Sequence, residues 1–123
     1  MSELDITVSL VDRDKGNREY GGSPTSKSTT GNANSGTLFE VGTSEESFAF
    51  HADVTGGEGP GYCYVKNHDD TNFVEIGTAT GVYWARLDAG DEMLVPLNAS
   101  GADTLYLKAD TAACEVEIYC QER

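Results

Sequence analysis

Alternation of apolar and polar positions is the first signal in this chain. Leu4, Ile6, Val8 and Leu10 are separated by Asp5, Thr7 and Ser9, the period-two spacing of a strand with one buried and one wet face. Later, Cys114, Val116, Ile118 and Cys120 alternate with Glu115, Glu117, Tyr119 and Gln121, predicting a second such strand with the first set inward. Between them, shorter apolar runs at 38–41, 47–51, 62–67, 72–77, 82–87, 92–97 and 104–109 carry the β-branched and aromatic residues that suit a pleated surface. The tetrapeptides His68-Asp69-Asp70-Thr71 and Asp88-Ala89-Gly90-Asp91 have the size of linkers between neighbouring antiparallel strands, which predicts two successive hairpins. A third is predicted from 104–109 and 113–121.

No stretch has the 3.6-residue period of an amphipathic helix. The expectation is therefore all-β: an antiparallel β-sandwich, jelly-roll in preference to immunoglobulin-like, of about eight to ten short strands. Its core should contain Ile6, Val8, Phe48, Val95, Leu105, Leu107, Val116 and Ile118. With 123 residues the chain suits a single domain, 1–123.

Two segments depart from this pattern. From 15 to 37 the only apolar residues are Tyr20 and Ala33, and Gly, Ser and Thr dominate, so the segment reads as an extended arm or long loop. The run TGGEGPG at 55–61 breaks the chain; it lacks the Lys-Ser/Thr end of a phosphate-binding loop, and no helical pattern follows it.

Charge narrows the partners. Twenty-one acids against eight bases give −13, so the average surface repels a phosphate backbone or an anionic membrane, and neither is an expected partner. Half of the bases (Arg13, Lys15, Arg18 and Lys27) fall in a stretch around the arm whose only acids are Asp14 and Glu19. With Tyr20 they are the candidate partner-contact residues, positioned to meet an acidic surface of a neighbouring protein. Glu3 and Asp5 interrupt the place where a secretory signal needs an apolar run, no run approaches the ~18 residues of a membrane span, and Asn98-Ala99-Ser100 reads as a chance sequon.

The three cysteines cannot all pair. Cys114 and Cys120, on one strand, are separated by roughly 20 Å and cannot bridge each other. Buried thiols in a chain folded in a reducing cytosol are the leading reading; a bridge from Cys63 to Cys114 or to Cys120 is the alternative.

Little else points to chemistry. His51 and His68 stand in no metal-ligand spacing, and no nucleophile signature accompanies them, so no catalytic residue, metal or cofactor is expected and the chain does not read as an enzyme. The run Asp12-Arg13-Asp14-Lys15-Gly16-Asn17 displaces the glycine of a calcium loop, and Ser23 stands where its last acid belongs. Asp69 and Asp70 read as solvated turn formers before they read as cation ligands. Tyr62, Tyr64, Tyr83, Trp84 and Tyr106 form a sugar-stacking platform only if several share an exposed face; otherwise they fill or fringe the core.

Four segments carry a family resemblance: VGTSEE at 41–46, GYCYVKNHDDTNFVEIG at 61–77, LDAGDEMLVPL at 87–97 and LYLKADTAA at 105–113. In this ordered series the chain resembles small virion structural proteins of tailed bacteriophages. The resemblance implies a β-sandwich or jelly-roll and a place in the particle, and it implies no catalytic residues. The expected function is that of a capsid decoration or cement protein on the outside of the head, made in the host bacterial cytoplasm. Its expected partners are the major capsid protein and other copies of itself, a trimer by fold-level analogy. The alternatives are a neck, tail or baseplate adaptor and a glycan-binding module of a tail fibre.

Overall fold

The computed structural model describes residues 2–29, 34–50, 52–55, 57–98 and 104–123. The chain divides into two compact units, Met1–Thr30 and Gly31–Arg123.

The first unit consists of two-stranded ribbons. β1 (Ser2–Ile6) pairs antiparallel with β4 (Thr25–Thr29), and β2 (Ser9–Asp12) with β3 (Arg18–Gly21). A single 3-10 turn, Arg13–Lys15, joins β2 to β3; the Asp12 carboxylate accepts from the Asp14 N–H at 3.1 Å. Gly16 and then Asn17 take left-handed backbone angles (φ 74° and 59°), which brings β3 back alongside β2.

Two expectations are corrected in this unit. The alternating stretch 4–10 is not one strand with a buried face: it breaks after Ile6, and Val8 and Leu10 are 64% and 67% exposed, outside any core, while Ile6 is half-buried. Alternation marks two-faced strands, but burial requires a further layer to cover one face, and a two-stranded ribbon supplies none. Nor is 15–37 a structureless arm, since it contains β3, β4 and the start of β5 (Asn34–Val41). Its composition reports the absence of core residues, whereas Thr and Ser are compatible with strands whose hydrogen bonds are supplied by pairing.

The second unit holds the core. Besides β5 it comprises β6 (Glu46–Ala49), β7 (Pro60–Asn67), β8 (Val74–Gly77), β9 (Ala85–Leu87), β10 (Glu92–Pro96), β11 (Thr104–Ala109) and β12 (Cys114–Glu122), with one short helix, α1 (Ala52–Thr55). They form two antiparallel four-stranded sheets in the orders β10-β7-β12-β5 and β6-β11-β8-β9. Inward residues of both sheets make one cluster: Val41, Cys63, Val65, Val116 and Ile118 from the first, Val74, Ile76, Leu105 and Leu107 from the second, all fully buried. Phe39, Phe48 and Phe50 join it through successive edge-to-face contacts at 5.4 and 5.7 Å. The architecture is all-β and antiparallel, compatible with a β-sandwich. Of the expected core, Leu105, Leu107, Val116 and Ile118 are fully buried, and Phe48 and Val95 are partly buried against it.

The expected hairpins are a correction of a different kind. β7 pairs with β10 and β12 instead of β8; β9 and β10 lie in different sheets, as do β11 and β12. Each tetrapeptide is thus an arch between sheets. A short polar loop permits either geometry, and the choice is made by the hydrogen bonds at its ends.

No helix among the described residues is long and apolar enough to cross a membrane.

Candidate functional site: the crossing loops

Four of the connections that run from one sheet to the other are β5 to β6 through 42–45, β7 to β8 through 68–73, β9 to β10 through 88–91, and β11 to β12 through 110–113. They are tied into one cluster. At its centre is Asn67, the last residue of β7, fully buried because it continues the inward series Cys63, Val65. Its Nδ2 donates to the carbonyls of Asn72 (2.9 Å), Leu87 (3.1 Å) and Asp88 (3.3 Å), while Oδ1 accepts from the Asp69 N–H at 3.0 Å. Its backbone N–H donates to the Asp91 carbonyl, and its carbonyl accepts from Gly90. One side chain thereby holds both arches.

The other two loops attach to the same cluster. Thr111 Oγ1 donates to Asn72 Oδ1 at 2.7 Å, and the Asp110 N–H to the Phe73 carbonyl at 3.0 Å. The Ala109 N–H donates to the Gly42 carbonyl, and the Gly42 N–H to the Glu46 carboxylate that closes the 42–45 loop. The segments 41–46, 61–77, 87–97 and 105–113 therefore meet at one place.

Asp69 is committed to its turn. Its Oδ2 accepts from the N–H groups of Asn72 (2.6 Å) and Thr71 (3.0 Å), which hold its pKa below the ordinary carboxylate value. Asp70 accepts from the Thr71 hydroxyl. His68 Nε2 lies 2.8 Å from Glu117 Oε1, and Arg86 packs its guanidinium over Phe73 while donating to Asp88 at 2.8 Å.

Beside the cluster, a shallow concavity of about 440 Å³ is lined by Leu38, Glu40, Asp69, Ala113, Cys114 and Glu115. Glu40 and Glu115 are directly opposite in register, an unfavourable like-charge pair. Cys114 is buried beneath, its thiol donating to the carbonyls of Ala112 and Asn72. Burial first, then the charges of Asp69 and Asp110, push the thiol pKa up, so it is held protonated and unreactive. The cluster fixes loop shape and presents carboxylates; it brings no nucleophile to a base. Among the described residues no group of three or more His, Cys, Asp or Glu could hold a metal ion. His51 lies outside the described residues.

The aromatic residues do not form one platform. Tyr62 and Tyr64 lie on the first sheet, Tyr106 on the second, and Tyr83 turns to donate its hydroxyl to Glu45, which raises the Tyr83 pKa to about 12. Of these five only Trp84 is exposed, at 47%, with its indole N–H near Thr78 Oγ1 at 3.4 Å.

The candidate partner-contact residues all lie in the first unit. Arg13 and Lys15 are in the 3-10 turn, Arg18 and Tyr20 on β3, and Lys27 on β4. Arg18 sits over the Tyr20 ring at 5.8 Å, and Tyr20, half exposed, faces Leu10 across the ribbon. Pairing thus gathers Arg18, Tyr20 and Leu10.

Sequence reasoning singles out Asn67 for no role. The signal that could have found it is parity, since counting inward from Cys63 places an amide on the buried face, where it must find partners. Comparison with known protein families, curated proteins and solved structures finds no match.

Proposed function

We propose that the protein is a structural component of a tailed-phage virion, a decoration or cement protein bound to the outside of the head. The strand order of the second unit carries the reading. With β5-β12-β7-β10 in one sheet, β6-β11-β8-β9 in the other and every loop of the cluster crossing between them, we read it as an eight-stranded jelly-roll. Such double sheets recur in viral capsid and lectin domains. A fold does not fix a function, so the proposal rests as well on the four phage-like segments. Their meeting at one hydrogen-bonded cluster supports treating them as a single inherited feature.

The first unit supplies the attachment in this reading. It has exposed Val8, Leu10 and Tyr20 and four of the eight bases, in a chain that is otherwise strongly acidic. Apolar side chains beside cations suit an acidic surface with apolar patches on the capsid protein, and copies bound around a local symmetry axis would form the trimer. Quantitative gel densitometry of purified virions tests the proposal. A copy number comparable to that of the major capsid protein is expected; a small fraction of it would instead indicate a neck, tail or baseplate adaptor.

Trp84 favours a second reading, a glycan-binding module, because an exposed indole beside a hydroxyl can stack on a sugar face. Glycan-array binding that disappears in Trp84→Ala would support it over the structural role.

A further inference from the structure

The three cysteines are separated by the fold into a pair and a single residue. β7 and β12 are the two central strands of their sheet, and Cys63 is directly opposite Cys120 in their register, both fully buried. Cys114 is at the other end of β12, opposite Val41, with its thiol engaged by loop carbonyls.

The ladder shows which kind of pair Cys63 and Cys120 make. The His68 N–H donates to the Glu115 carbonyl at 2.9 Å, so this pair is hydrogen-bonded. Hydrogen-bonded and non-hydrogen-bonded pairs alternate along an antiparallel ladder, and Cys63 with Cys120 lies an odd number of steps from that pair. It is therefore a non-hydrogen-bonded pair, the kind whose side chains approach most closely, with α-carbons ~4.5 Å apart. That separation lies within the ~4.4–6.8 Å found for disulfides. Both side chains point inward from directly opposite positions, so the two thiols are neighbours on the core face of the sheet.

We propose that Cys63 and Cys120 are an oxidative modification site, a buried dithiol that takes up a cross-strand disulfide from a small-molecule disulfide such as oxidised glutathione. Opening of the β7–β12 ladder gives the reagent access. The neighbouring Cys63 thiol and the Gly61 backbone favour the Cys120 thiolate, whereas Cys120 and burial hold Cys63 protonated. Cys120 attacks one glutathione sulfur, forming a mixed disulfide and releasing one glutathione thiolate. Cys63 gives its proton to that thiolate and attacks the Cys120 sulfur, expelling the second glutathione as a thiolate that takes a proton from water. In sum, one protein dithiol and one oxidised glutathione become one protein disulfide and two reduced glutathiones. The bridge closes a loop that contains β8, β9, β10 and β11, so it restricts the unfolded chain over most of the second unit.

The test uses the full chain, both incubated in its native state with oxidised glutathione and refolded from urea in a glutathione redox buffer. Free thiols are then alkylated and the peptides mapped by mass spectrometry. The expected product has lost two hydrogens, links the Cys63 and Cys120 peptides, carries alkylated Cys114, and melts at a higher temperature than the same sample after reduction. Cys114→Ser should retain the bridge, and Cys63→Ser should stop at a glutathione adduct or a free thiol on Cys120. The proposal is overturned by a refolded, cooperatively melting chain with Cys63 and Cys120 both alkylated, by a bridge through Cys114, or by a Cys63–Cys120 bridge that lowers the melting temperature. The wild-type map decides alone if the Cys63 variant does not fold.

Discussion

Replacing Asn67 with alanine should be among the most damaging single changes in the second unit. The amide has two N–H groups shared among three carbonyls and one oxygen accepting from Asp69, so truncation removes about three hydrogen bonds, each worth ~1 kcal/mol net. The Leu87 carbonyl is buried where it meets the amide and is left without that partner, which costs at least ~1 kcal/mol more. A loss of about 4 kcal/mol is a large share of the ~5–15 kcal/mol that holds a domain together. With a urea m-value of ~1.5 kcal/mol/M, the unfolding midpoint should fall by ~2.5 M.

Urea titration followed by fluorescence of Trp84, the chain's one tryptophan, and by far-ultraviolet circular dichroism reads this directly. Asn67→Asp separates chemistry from volume, since it keeps the shape but directs an oxygen at three carbonyls. Burial among carbonyls raises the folded-state pKa of that new acid above its unfolded value of ~3.9. Its penalty is therefore absent below about pH 4 and grows as pH rises toward the folded pKa. At pH 7 the aspartate should be at least as damaging as the alanine, and the two should diverge in favour of aspartate as pH falls. A midpoint shift under ~0.5 M for alanine, or an aspartate variant that matches wild type at pH 7, would refute the argument that the amide donors hold the arches.

Three further outcomes are expected. A β-carbon at Gly77 would overlap the Val82 carbonyl oxygen, a backbone atom, so Gly77→Ala should lower the melting temperature by an amount corresponding to at least ~2 kcal/mol, and calorimetry within ~0.5 kcal/mol of wild type would contradict it. The unit 31–123 holds sixteen of the 21 acids and four of the eight bases, a formal −12; raising NaCl from ~0.1 to ~1 M shortens the screening length from ~10 to ~3 Å and should raise its melting temperature, whereas a flat or falling curve would show that self-repulsion is unimportant. Because Asp69 has a depressed folded-state pKa, its contribution is present above the unfolded value of ~3.9 and is lost as pH falls through the folded pKa, so Asp69→Asn should flatten the acid limb of the stability profile, and an unchanged limb would count against it.

The parts of the fold legible in the sequence are those set by period and turn chemistry. The alternation of 114–121 specified β12 and its buried face down to the cysteines, and the runs at 62–67 and 104–109 located β7 and β11. In the first unit the pattern at 4–10 implies a core face that the fold does not supply. Leu4 and Ile6 are half-buried, whereas Val8 and Leu10, equally apolar and in the same parity, are exposed. The sequence specifies what a side chain would gain by burial, and the neighbouring layer determines whether burial occurs. The same limit applies to the segment 15–37, where a lack of core residues does not entail a lack of strands.

Strand pairing is not legible in these loops, and the cause is local. His68-Asp69-Asp70-Thr71 and Asp88-Ala89-Gly90-Asp91 contain the acids and glycine of hairpin turns, and their backbones do turn tightly: Asp69 caps Asn72 and Thr71, and the Asp91 N–H donates to the Asp88 carbonyl. A turn sets how sharply the chain reverses. It does not determine whether the returning strand lies beside its predecessor or across the core from it. That choice depends on which backbone groups are satisfied by the ladder and which by something else. Here Asn67 supplies the alternative: its amide takes up the carbonyls of Asn72, Leu87 and Asp88 that the two arches would otherwise leave unpaired at the end of the core. One buried amide thus ties the two cross-sheet arches together. The residue that holds both arches is therefore not in either turn but at the end of the strand before the first one, where a period-two count shows it to be inward and polar.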